Sequence, residues 1–458
     1  MIRPLVLRLA AVAALGLGGC EFVAGIAGDK RLRPDAAADA GADAATDAAH
    51  DAAGLEAAVE AGHDAPPVAL PTDAPPADAS TDAGPITCTL AWPTPAAATT
   101  GGGAPTIAHA GVLWGVAWLF GDSVKYNAVD SAGTLQLAAD DATPVPLTAN
   151  VTLSSPHLAS FGNSLALAYG TKTGAGSNTA APVVRVVTVA TGAAGSPAAG
   201  SSFTDTSPPE VFGLAADATA STLLTSSRYA GSAANAARAN LFNATPVQVT
   251  SAPASSGART TAAGFAATAG RYGVAIIEDG SASGGKVLAY DTALTWKGTL
   301  PFTEGADAPK VGSPSFSVSI AGGGDHFAVA WVDTQTGGTD VVLTSIDAQT
   351  GARVAAGEVL VTSTAAVFKY YPRVVFDDRS LVVTWVEVPG ATYRIMLARF
   401  DLGLAPIGSP LCASCASGFT TGLGEHGLAA AGPNDYGVVF LDTTSTKQHF
   451  RHITCTGP

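Results

Sequence analysis

The sequence predicts an all-β fold assembled from a repeated four-stranded unit, and three observations predict it. From residue 87 onward, short runs rich in Val, Leu, Ile and aromatic residues alternate with Gly, Asp, Thr and Ser turns, and no convincing amphipathic helix interrupts them. A Pro is followed 13 residues later by an aromatic residue in three segments, Pro105 to Trp118, Pro156 to Tyr169 and Pro372 to Trp385, and a longer version runs from Pro314 to Trp331 across Gly322-Gly323-Gly324. Weaker copies around Pro209–Thr225, Ala263–Ile277 and His426–Phe440 complete a series. In it Trp118, Tyr169, Thr225, Ile277, Trp331, Trp385 and Phe440 are 51, 56, 52, 54, 54 and 55 residues apart. Seven copies at so steady a period mark a repeat architecture.

Within each unit the elements follow in a fixed order. A strand follows the Pro (Arg373–Phe376), a polar turn reverses it (Asp377-Asp378-Arg379), and a more apolar strand carries the aromatic (Leu381–Trp385). A variable loop leads to a third strand (Arg394–Phe400), which often ends in an Asp or Gly turn, as at Asp130, Asp291, Asp347 and Asp401; a poorer fourth run completes the set. Four antiparallel strands in a unit of this size are the content of a propeller blade, so residues 87–458 are predicted to form a seven-bladed β-propeller. An immunoglobulin-like sandwich needs about 100 residues, twice the observed period. The apolar stretch Val112–Phe120 is too short to span a bilayer as a helix, and Pro93, Pro95 and Pro105 break what precedes it. The last unit is one strand short, and Ile86–Trp92 has the composition to supply it from the other end of the chain.

Ahead of the repeats lie two segments of different character. Arg3 and Arg8 flank a basic start, an apolar run continues from Leu9 to Gly18, and Leu17-Gly18-Gly19-Cys20 closes it, so residues 1–19 read as a signal peptide. Residues 20–86 form a tether of Asp, Ala, Pro and Gly with too little apolar surface to fold. Nine Asp and two Glu without Lys or Arg give residues 35–86 a charge of −11 out of the whole chain's −14. Residues 87–458 are only mildly acidic and show no clustered basic face, which argues against a nucleic-acid partner.

The Leu17–Cys20 segment resembles a bacterial lipobox. That resemblance implies diacylation of Cys20, and Glu21 after it implies retention at the outer membrane. The Asp/Ala-rich spacer behind it resembles those of lipoproteins from myxobacteria, and residues 87–458 resemble extracytoplasmic seven-bladed propellers at the level of pattern. The expected location is the cell envelope, with the membrane contacted through the lipid and the propeller a monomer.

With Cys20 assigned to the lipid, Cys88, Cys412, Cys415 and Cys455 form an even set that allows three pairings. Pairing the Cys88 run with the terminal strand favours Cys88–Cys455 and Cys412–Cys415 in an oxidising compartment. No zinc-ligand spacing is present, and neither GxSxG nor HExxH nor a phosphate loop occurs, so no catalytic residue is assigned.

Candidate ligand-binding residues come from two patterns. The loop after the second strand opens with acids in five of seven repeats, at Asp122, Glu278 with Asp279, Asp333, Glu387 and Asp442, which would ring one face and attract a basic partner or calcium; solvated turns favour the same residue types. The lead-in to the sixth unit, Phe368-Lys369-Tyr370-Tyr371-Pro372-Arg373, concentrates aromatic and basic side chains that stack on sugars and peptides or pack between blades. The expected function is a binding or scaffolding module for a protein or glycan at one propeller face. The alternative is an enzyme such as a glycosidase or polysaccharide lyase, with carboxylates drawn from different blades.

Overall fold

The repeats fold, in a computed structural model, into seven antiparallel sheets. The described residues lie between Thr87 and Thr456, without 91–95, 101–102, 138–150, 174–178, 200–202, 205–209, 229–236, 254–258, 280–284, 302–317, 334–338, 362–366, 416–425, 443–446 and a few single residues, Asp122 among them. Residues 1–86, and with them Cys20 and the tether, are outside the described part.

Blade 6 shows how a unit is made. Its strands are Phe368–Phe376, Leu381–Val388, Arg394–Phe400 and Leu411–Cys412, paired in chain order. Asp377 makes the first reversal: its Oδ1 accepts the amides of Arg379 (3.1 Å) and Ser380 (2.6 Å), while its own amide bonds the Ser380 carbonyl. In the second strand every residue but the last is buried, because each face of the sheet abuts another blade. Leu381, Val383 and Trp385 pack toward blade 5, and Val382 and Val386 toward blade 7. A strand buried on both sides reads as a continuous apolar run, which is why Val112–Phe120 looks like a short membrane segment in sequence yet contributes the strand Leu113–Phe120.

Blades 3 (Glu210–Pro253), 4 (Arg259–Pro301) and 5 (Val318–Leu360) repeat the four-strand order, blade 2 (Val151–Thr204) follows it with split edge strands, and blade 1 (Thr106–Asp130) has three described strands. The first strand of every blade packs against the first strands of both neighbours, and the series returns from His426–Gly432 of blade 7 to Thr106–Ala110 of blade 1, so the ring is closed.

Closure comes from the chain start. Thr87–Leu90 pairs antiparallel with the terminal strand Lys447–Thr456, placing Cys88 opposite Cys455, and Ala96–Thr100 continues along the same edge. The disulfide joins Cys88 to Cys455 across 367 positions, and a second one joins Cys412 to Cys415.

Two repeat positions differ from the sequence alignment. Trp118, Trp331, Trp385 and Phe440 each face the preceding blade. In blade 4 it is Ile276 that does so, while Ile277 faces blade 5. A one-residue offset turns a strand side chain to the other face, and the bulge between Thr260 and Ala262 accompanies the irregular lead-in. Thr225 stands three residues after Thr222, which opens its strand, whereas Trp118 stands five after Leu113.

Neighbouring blades come close at Gly322 and Gly323, the last residues of the first strand of blade 5 (Val318–Gly323). A Cβ on Gly322 would lie 2.1 Å from the Ala267 carbonyl oxygen of blade 4, and one on Gly323 would lie 1.8 Å from the Phe376 ring of blade 6.

Candidate functional site

The first strand of a blade starts, and the second strand ends, on the same face of the ring; this face is called the mouth here. Glu278, Asp333, Glu387 and Asp442 occupy one position in four consecutive blades, each seven residues after the residue that closes the first hairpin turn (Arg271, His326, Ser380 and Asp435). Asp279 is the next residue in blade 4. Asp122 lies outside the described residues, as do the side chains of Glu278 and Asp279. In blade 1 the equivalent place is taken by Phe120, which is 42% exposed.

Blades 5 and 6 set basic side chains of the fold itself beside two of these positions. Glu387 accepts Arg394 Nε (3.0 Å) and Nη2 (2.8 Å) from the facing residue of the third strand, and the Trp385 indole N–H points to its other oxygen at 3.4 Å. Asp333 faces Asp340 across the hairpin, and Lys369 of blade 6 meets Asp340 at 2.7 Å. Lys369 is 1% exposed and its amide donates to Thr339 Oγ1, so it is a strut between blades 5 and 6. Asp442 is buried, stands opposite Lys447, and has His449 Nε2 at 3.7 Å. Burial holds the His449 imidazole below its ordinary range, against the pull of Asp442. The pairing of Glu387 with Arg394 and of Asp340 with Lys369 reduces the field those carboxylates offer a basic partner.

The aromatic lead-in divides in two. Tyr371 is buried between blades 6 and 7, in a bulge where its φ is 54° and the register slips between Tyr370 and Arg373. Arg373 turns toward blade 7 and donates Nε to the His426 carbonyl at 3.2 Å. Tyr370 is half-buried and stacks with Phe368, their centroids 6.2 Å apart and their planes 12° apart; Phe368 is 53% exposed. Burial and the neighbouring Tyr393 push the Tyr370 hydroxyl pKa upward. Of the sequence candidates, then, Tyr370 is at the surface beside Phe368, whereas Lys369 and Tyr371 are structural.

Below this patch His426 is fully enclosed. Its Nε2 shares a hydrogen bond with Thr384 Oγ1 at 2.7 Å, and its Nδ1 is buried without a hydrogen-bond partner among the described residues. Burial first, and the Arg373 charge second, hold it well below the usual imidazole range, so it is neutral near pH 7. His449 and His452 face opposite sides of the terminal strand, His449 against Phe440 and His452 against Trp114 and Asp435. No three His, Cys, Asp or Glu among the described residues could together hold a metal ion.

Asp340 and Arg394 were not singled out in the sequence. Each opens a third strand directly across from one of the acids, so hairpin register is the signal that finds them.

No family model matches the sequence, and no curated protein matches it. Solved structures do match: a prolyl endopeptidase at 12% identity and TM-score 0.44 over 78% of this chain and 50% of that one, so the chain spans half the enzyme's length. A Synechocystis apocarotenoid oxygenase mutant matches at 10% identity and TM-score 0.40 over 66% of this chain and 70% of its own. A chimera of that oxygenase with RPE65 matches at 9% identity and TM-score 0.41 over 68% and 71%. At these identities and scores the likenesses assign no chemistry to this chain.

Proposed function

We propose that the protein is a lipid-anchored extracytoplasmic propeller that binds a protein or glycan at the mouth of blade 6. The observation that carries this reading is the Phe368–Tyr370 stack, a paired aromatic surface with Phe368 53% exposed. Its charged neighbours are already paired with one another, as Lys369 with Asp340 and Glu387 with Arg394. Aromatic faces of this kind bind through apolar contact and stacking rather than through charge. The anchor rests on Cys20 and the acidic Asp/Ala-rich stretch that follows it in the sequence.

The test uses the full chain on glycan and peptide arrays, with Phe368→Ala/Tyr370→Ala as the comparison. Retention of a ligand by the natural chain and its loss in the variant, at equal thermal stability, supports the reading; equal retention by both rejects it. Turnover of the retained ligand would replace the module with the enzyme. For the anchor, Cys20→Ser is expected to move the protein out of the detergent-extracted membrane fraction, and an unmodified N-terminus cleaved elsewhere would exclude it.

A further inference from the structure

We propose that the Cys412–Cys415 disulfide is a reducible clip that holds the mouth-side edge of blade 6, an inference whose functional consequence rests on the ligand site proposed above. The outer strand Leu411–Cys412 ends in a loop that folds back on the third strand. Ala413 N donates to the Ile395 carbonyl at 2.8 Å, Ser414 N reaches the same oxygen at 3.4 Å, and Ile395 N donates to Ser414 Oγ at 2.8 Å. Ala413 and Ser414 are buried, and the disulfide closes the four residues that carry them.

Ile395 is flanked by the residues that matter at the mouth. Arg394 precedes it and holds Glu387; Tyr393 comes before that and is close enough to Tyr370 to influence its hydroxyl. Loosening the clip therefore loosens Arg394 and Tyr393 together.

The two disulfides differ in access. Cys415 is exposed, whereas Cys455 is 7% exposed within the seam between blades 6 and 7. Exposed disulfides are the labile ones. A thiolate of an external dithiol attacks Cys415 Sγ, the S–S bond breaks, and Cys412 leaves as a thiolate that takes up a proton. The second thiol of the dithiol, as thiolate, then attacks its own sulfur in the mixed disulfide. Cys415 is thereby released as a second thiol, and the dithiol leaves as a cyclic disulfide, having supplied the two electrons.

The experiment is hydrogen exchange by mass spectrometry on the full chain, before and after limited dithiothreitol treatment, with differential alkylation to show which cysteines are reduced. The expected result is selective reduction of Cys412 and Cys415 and exchange at the Ile395 amide faster by roughly 20-fold, the scale set by releasing a four-residue loop. Cys412→Ser/Cys415→Ser should show the fast exchange without any dithiol. Unchanged exchange in both the reduced chain and the double variant overturns the proposal, as does reduction of Cys88–Cys455 first or at the same rate. Exchange does not depend on the ligand. A Phe368→Ala/Tyr370→Ala chain that loses no ligand yet keeps the redox-dependent exchange therefore removes the proposed function and leaves the clip.

Discussion

Three consecutive glycines at the end of the first strand of blade 5 and in the turn after it are expected to resist substitution for three different reasons, and replacing each by Ala separates them. At Gly322 the added Cβ would stand 2.1 Å from a backbone oxygen, Ala267 O, and 2.7 Å from its carbon. Backbone on the innermost strand of blade 4 cannot rotate away, so two blades must separate locally, at a cost of about 3 kcal/mol, the upper part of the range for overpacking. At Gly323 the Cβ would stand 1.8 Å from the Phe376 ring, a half-buried side chain that can shift, and about 1.5 kcal/mol is expected. At Gly324 nothing lies within 4 Å, but φ is 56°, which costs a residue with a Cβ about 1 kcal/mol. Urea unfolding followed by tryptophan fluorescence, with m unchanged across the set, reads the order directly. A Gly322→Ala chain no less stable than Gly324→Ala would refute the close packing of blades 4 and 5 on which the ring geometry depends.

Three further outcomes follow from buried and paired side chains. His426, His449 and His109 are all held below the ordinary imidazole range, chiefly by burial, so the unfolded chain binds protons that the folded chain does not. Stability should fall as pH drops below about 6.5 toward the folded values; melting from pH 7.5 to 5 should show this, with a shallower slope for His426→Gln. The buried indole N–H of Trp118 has no acceptor among the described residues, and Phe120 stands where Glu387 serves Trp385. Phe120→Gln should therefore stabilise by about 1 kcal/mol, and a loss in urea midpoint would contradict that reading. Because Asp340 and Glu387 are already paired with Lys369 and Arg394, millimolar calcium should leave the melting temperature unchanged, and a rise of several degrees would restore the acids as a metal site.

Much of the fold was legible because propeller blades repeat what a single sequence can show. The Pro-to-aromatic interval found the first two strands, and the Asp turns hold as drawn: Asp130, Asp291 and Asp347 each accept two or more backbone amides at the end of a third strand. The alignment slipped at Ile277 and Thr225, where neither an aromatic residue nor a regular lead-in marks the phase of a two-residue repeat. The mouth was harder to read. Sequence placed the acids in one arc but could not say that Lys369 reaches Asp340 in the neighbouring blade, since that contact depends on how two sheets are set side by side. It also could not separate Tyr370 from Tyr371, because the bulge that buries one and leaves the other at the surface has no sequence mark beyond the following Pro372.

Closure of the ring by Thr87–Leu90 and Ala96–Thr100 on the terminal strand fixes the blade count, the position of the mouth and the seam between first and last blades. Peptide mapping under non-reducing conditions tests it most directly. A linked peptide joining Cys88 to Cys455, together with one in which Cys412 is joined to Cys415, is the expected result. A peptide joining Cys88 to Cys412 or to Cys415 would place the first strand on blade 6 and contradict a seven-bladed ring closed at its ends.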